Sequence, residues 1–255
     1  MIFSDLNGIL WFSAFLIIFI FVQRRTHREI QTIFYLLTRR LNWAYGLFAL
    51  ILLPGVFLHE ISHFLTAKVL GVRTGKFSIF PREAENGKLR MGYVEVERVG
   101  FLRNAIIGTA PLIVGFAAIL WISFNPLNMA AIWDALLEGQ IEIIINSQFF
   151  EMIMNRPWAW LWFYLLLVIS SSMLPSESDR REWLLAVVIV LGMILIAWLA
   201  GAGTWLWETF WPLVNRMFAG LAIVFGISLF VHFVIWLPFG LLRVLLQRMM
   251  RASFS

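Results

Sequence analysis

The chain contains no cysteine, so disulfides and thiolate metal sites are both excluded. Charge is scarce as well. Asp, Glu, Lys and Arg make up 14% of the 255 residues, against about 25% in an ordinary soluble domain. Hydrophobic residues reach 61% and the mean hydropathy is +0.83, so the chain lacks the polar surface needed to stay dissolved. Thirteen Trp and 24 Phe suit lipid interfaces and helix packing. The pI near 10.1 does not indicate nucleic acid, because the basic residues fall in short clusters between apolar runs. Clusters so placed set membrane orientation. The first apolar run has no basic flank before it and no small-residue cleavage site after it, and reads as a retained span.

A helix of about 20 apolar residues crosses the hydrocarbon core, and about six such runs are present: 6–22, 43–70, 104–124, 158–175, 184–202 and 217–242. Pro54-Gly55 interrupts the second and Pro111 the third, breaks that spanning helices tolerate where neighbours satisfy the freed backbone groups. Between the second and third, residues 71–103 mix charge with β-formers. Lys76–Phe80 and Arg90–Val96 flank Asn86-Gly87, a hairpin signal. The connection 125–157 places Asp134, Glu138 and Glu142 on one helical face, which suits either an interfacial helix or a solvated one. The expected fold is an all-α polytopic membrane protein with a small membrane-associated β-hairpin after the second helix. It divides into an N-terminal span with a basic connection (1–42), a catalytic core (43–183) and C-terminal spans (184–255).

With six alternating spans, the hairpin side carries twelve Lys and Arg and the other side seven, which makes the hairpin side cytoplasmic. The five arginines at 24, 25, 28, 39 and 40 oppose that assignment. Trp43, Trp121, Trp158, Trp160, Trp205, Trp207 and Trp211 all fall on the face away from the hairpin.

The chemistry concentrates in His59-Glu60-Ile61-Ser62-His63. Residues four apart share a helix face, so both imidazoles can meet one zinc ion while Glu60 lies beside them to activate its bound water. An ionisable group at bilayer depth costs about 2.5–3.5 kcal/mol even on the lenient insertion scale. Glu60 is the only acidic residue between Asn42 and Arg73, and a metal site gives it a purpose there. A third protein ligand is needed. His27 lies in the basic connection. His232 lies mid-span in the sixth run, as a hydrogen-bonding partner within the bundle or a supporting group for the site. At 1.5 Å per residue His59 stands about 24 Å beyond Trp43, in the membrane half nearest the hairpin. The fourth span returns to that depth before Glu177 and Asp179, while Glu182 follows Arg181 and reads as solvent-facing.

With these residues assembled, the chain resembles the site-2 protease family of intramembrane zinc metalloproteases. Leu58–Val72 is similar to that family's histidine-glutamate-x-x-histidine helix, and Gly108-Thr-Ala-Pro-Leu112 to its middle core helix. A β-rich segment such as 71–103 often follows the first of these in the family. The resemblance covers about residues 50–183. It implies Asp179 as third zinc ligand, with Glu177 as rival, because the family's aspartate follows an asparagine-x-x-proline helix end. Here Ser172 occupies the asparagine position before Pro175, Asp179 comes one residue early, Arg180 replaces a glycine, and Val114 stands where many members have asparagine.

The expected function is therefore hydrolysis of membrane-protein substrates in or near a transmembrane segment. Glu60 is the general base, zinc is held by His59, His63 and Asp179, and the active site opens toward the cytoplasmic side. The same ligands suit a membrane hydrolase of lipid amides or esters, and a scaffold or transporter would need no zinc.

Overall fold

The computed structural model describes residues 7–83, 89–127, 129, 155–174 and 177–252, most of them helical. The elements in chain order are α1 (Asn7–Thr38), α2 (Leu41–Val69), the short strands β1 (Thr74–Ser78), β2 (Arg82–Glu83), β3 (Leu89–Arg90) and β4 (Tyr93–Val96), then α3 (Phe101–Phe124), α4 (Ala159–Ser172), α5 (Glu177–Ala197) and α6 (Trp211–Ala252). The connection 130–154, with Asp134, Glu138 and Glu142, lies outside the described residues.

Among the described residues, four helical stretches are long and apolar enough to cross a membrane: Gly8–Thr38, Leu41–Val69, Phe101–Phe124 and Val187–Met250. Ala159–Ser172 is apolar but shorter. The expected fifth and sixth spans thus form one helical stretch. It is bent at Gly201, whose φ of 91° places it in the left-handed region, and carries π-helical turns at Trp198–Ala202 and Leu206–Phe210.

The first helix runs well past the expected end at Val22. Gln23, Thr26, Ile30 and Ile33 are buried while Arg24, Arg25 and Arg28 are exposed. That spacing keeps one face against the bundle, and no proline or glycine interrupts it. His27 therefore stands on a helix face, not in a basic connection. The helix ends at Arg39, at a φ of 58°, and α2 begins two residues later, so α1 and α2 are antiparallel neighbours.

α2 and α4 run side by side in the same direction, in contact every fourth residue. The Tyr164 hydroxyl donates to the Ile51 carbonyl at 2.7 Å, beside the Pro54 break. One step further, Gly55 admits the backbone of Val168, and a Cβ there would stand 2.7 Å from Ser172 Oγ. At the next step His59 meets Ser172. α3 returns antiparallel to α2, and Gly115 admits Met173 just beyond the end of α4. Small residues let helices approach this closely where apolar burial alone gives no drive for association in lipid.

α1 and α6 pack along most of their lengths in a parallel pair. The Gly8 N–H donates to Asn215 Oδ1 at 2.9 Å, and far along both helices Arg243 pairs with the buried carboxylate of Glu29. Six strictly alternating spans would make the first and sixth antiparallel, so this pairing departs from that expectation. Trp211 accordingly lies at the hairpin end of the bundle, while exposed Trp43, Trp121, Trp158 and Trp160 mark the other end. Phe225 of α6 joins the pair to the core, with Phe12, Phe19 and Phe116 at centroid distances of 5.7, 5.5 and 5.4 Å. Each such ring pair contributes about 0.5–1.5 kcal/mol beyond its buried area.

The segment after α2 forms the expected hairpin. β1 pairs antiparallel with β4, and β2 with β3; Asn86-Gly87 lies outside the described residues. The second arm is broken at Met91-Gly92, between β3 and β4. Gly92 is buried against α2.

Candidate metal centre

His59, Glu60 and His63 occupy one stretch of α2, two turns beyond Pro54. Glu60 and His63 are buried and His59 is half-buried. The one-turn spacing brings the two imidazoles together at a centroid distance of 4.9 Å, nearly perpendicular, with their Nε2 atoms 3.2 Å apart.

The opposite ring nitrogens are both engaged by backbone. His59 Nδ1 is 2.7 Å from the Ser172 carbonyl and His63 Nδ1 is 2.8 Å from the Ile107 carbonyl. A carbonyl only accepts, so each Nδ1 carries a hydrogen, and the two Nε2 atoms are turned toward each other. Backbone carbonyls oriented on Nδ1 are the usual support behind metal-binding histidines.

Both carbonyls are available for a local reason. Within a helix, the Ile107 carbonyl would accept from the N–H four residues later, and that residue is Pro111, which has none. Ser172 closes α4, and the last carbonyls of a helix have no intrahelical donor. Two helix irregularities thus aim two acceptors at two histidines. Ile107 and Ser172 are site residues that the motif did not reveal. The readable signal was the proline four positions after Ile107.

Glu60 lies under the break in the hairpin. A Cβ on Gly92 would come within 2.8 Å of Val56 Cγ1, 2.9 Å of Glu60 Cγ and 3.2 Å of Glu60 Oε1. Only glycine allows the hairpin backbone this near the carboxylate. The Ser62 hydroxyl, also buried, donates to the Leu58 carbonyl one turn earlier at 2.5 Å.

Asp179 and its rival Glu177 fall in the first turn of α5, seven and five residues beyond the carbonyl that holds His59. Their side chains, like that of Glu182, are outside the described set. Among the described residues no three His, Asp or Glu side chains converge on one point. His27 and His232 do not join His59 and His63. They meet each other across Ser171, with His27 Nε2 and His232 Nε2 each 3.0 Å from its hydroxyl oxygen. No family model, curated protein or solved structure matches the chain, and the centre is read from its own geometry.

Proposed function

We propose that the protein is an intramembrane zinc metallopeptidase that cleaves membrane-protein substrates in or near a spanning segment. His59 and His63 hold the metal, Asp179 completes the ligand set, and Glu60 serves as general base. One observation carries this reading. Both Nδ1 hydrogens are given to carbonyls, which turns the two Nε2 atoms to one point, 3.2 Å apart. Zinc bound at about 2.0–2.1 Å to each of two nitrogens, with a tetrahedral angle between them, sets those nitrogens about 3.3–3.4 Å apart. The observed spacing fits.

Zinc in this position would lower the pKa of a coordinated water to about 7 and polarise a peptide carbonyl. The chain's own residues do the rest. Glu60 takes a proton on its carboxylate and returns it to the leaving amine. Gly92 and Val56 cover Glu60 and keep bulk water from it. A peptide in a spanning helix hides its carbonyls in hydrogen bonds and must be drawn out to be cut. A two-stranded ladder can take a third strand along its outer edge, and β4, paired with β1, begins directly after Gly92, the residue packed on Glu60.

Metal analysis of the purified chain tests the reading directly. One zinc per chain is expected, lost in His59→Ala and in His63→Ala. Glu60→Gln should keep the zinc and lose cleavage of a membrane-embedded reporter by at least about a hundredfold, the scale of general base catalysis. A chain that binds no zinc, its histidine pair sharing a proton instead, overturns the proposal.

A further inference from the structure

Behind the paired histidines is a second polar cluster, built from α1, α4 and α6. His232 is fully buried, and its Nδ1 lies 2.8 Å from the Ser228 carbonyl one turn earlier. That carbonyl only accepts, so His232 carries its hydrogen on Nδ1 and a lone pair on Nε2. Ser171 Oγ, 3.0 Å from that Nε2, is the donor to it. A hydroxyl has one hydrogen, so the second imidazole on Ser171, His27 Nε2 at 3.0 Å, donates in turn. Hydrogen-bond direction is thereby fixed along the whole chain, from His27 of α1 through Ser171 of α4 to His232 of α6. Thr26 closes it from behind, with its hydroxyl between the Val22 carbonyl at 2.9 Å and the His232 carbonyl at 3.3 Å.

The backbone of Ser171 is held as well. Gln23, one turn before His27, donates its side-chain N–H to the Ser171 carbonyl at 2.8 Å. The residue four positions after Ser171 is Pro175, which has no N–H to compete for that carbonyl. Both polar groups of Ser171 are therefore fastened by α1 and α6. The next residue, Ser172, supplies the carbonyl on His59 Nδ1. On the far side the same turn rests on Gly55 of α2, and Met173 rests on Gly115 of α3. The last turn of α4 is clamped between the metal-site helices and the outer pair.

We infer that Ser171, with Gln23, His27 and His232, is a positioning cluster that fixes the Ser172 carbonyl and through it the orientation of His59 toward the metal. This rests on the reading of His59 and His63 as metal ligands. Apolar packing alone would join these helices, since Phe225 and its ring partners already do. It would not set the axial position of one carbonyl, as directional bonds from two helices do. Two imidazoles and an amide buried at membrane depth are costly groups to keep for packing alone. Groups standing behind a metal-bound histidine commonly change metal affinity by about 10–100-fold.

The test uses the full-length chain in detergent and two probes. Zinc affinity is measured by chelator competition, and the visible absorption of bound cobalt(II) reports ligand geometry. Ser171→Ala is expected to weaken zinc binding by about tenfold and to change the cobalt spectrum, while Ser171→Thr, which keeps the hydroxyl, restores both. Gln23→Leu, which removes the bond to the Ser171 carbonyl, should move both readouts in the same direction and stands in if Ser171→Ala does not fold. Ser123→Ala is the control. It removes a buried hydroxyl that bonds the Ile119 carbonyl within α3, and should leave zinc affinity unchanged even where thermal stability falls. Zinc affinity and cobalt spectra within twofold of the unaltered chain, in the Ser171→Ala or the Gln23→Leu protein, overturn the positioning role while leaving the metal site standing. An unaltered chain that takes up neither metal removes the site and the cluster together.

Discussion

Pro111 removes one N–H from α3, and the acceptor it leaves vacant, the Ile107 carbonyl, is the one that holds His63. A helix-interior proline costs about 3 kcal/mol, and here that cost is tied to the orientation of His63, a ligand in the proposed metal site. Pro111→Ala should restore the helical N–H, draw the Ile107 carbonyl back into the helix and weaken zinc binding by about tenfold. The melting temperature should hold or rise. Chelator competition beside a thermal melt checks both halves, and undiminished zinc affinity would falsify the role given to Ile107. At this scale the sequence was readable where chemistry is local. His59, Glu60 and His63 follow from one helical turn, and their burial was implied by the apolar run around them. The acceptors Ser172 and Ile107 were not legible, because a backbone carbonyl carries no residue signature and its partner is chosen by the packing of another helix. His27 was obscured by its neighbours, since three arginines around it suggested a solvated connection where one face of the helix is buried.

Among the elements, the hairpin is the one whose position bears most on chemistry. Its β-character was legible from the residues on either side of Asn86-Gly87, but its break at Met91-Gly92 was not. That break follows from contact with α2, where the arm turns in at Gly92 to lie on Val56 and Glu60. Gly92→Ala should force the arm away from α2, with overpacking of about 1–3 kcal/mol. Limited proteolysis should then cut the hairpin several-fold faster while zinc content stays at one per chain. An unchanged digestion rate means that the arm does not depend on this contact. Charge does not end α1 either: Arg24, Arg25 and Arg28 lie on its exposed side, and Glu29 meets Arg243 on the other. Hydropathy locates the apolar part of a helix and not its ends.

At the scale of the molecule, the parallel pairing of α1 and α6 changes the charge balance across the bundle. It carries the three tail arginines to the end that holds Arg39 and Arg40, and Arg216 to the hairpin end. The count of twelve basic residues against seven becomes ten against nine, and the bias that made the hairpin side cytoplasmic nearly vanishes. The absence of native cysteine makes the arrangement simple to test. Single cysteines at positions 39, 76 and 248 can be labelled from either face of sealed vesicles. Arg248→Cys should react from the same face as Arg39→Cys, and Lys76→Cys from the other. Reaction of positions 248 and 76 from one face restores six alternating spans and removes the parallel pair.

The match between α2 and α4 repeats every four residues: Ile51 with Tyr164, Gly55 with Val168, His59 with Ser172. Two surfaces toothed at that interval do not glide past each other. They shift by a whole tooth, about 6 Å, or stay where they are. A shift of one tooth along α4 would carry the Ser172 carbonyl past His59 and move Val168 off Gly55, the residue that leaves it room. His59 is therefore held by a mesh with discrete settings, and any movement of α4 must disengage the mesh before it can turn the ring.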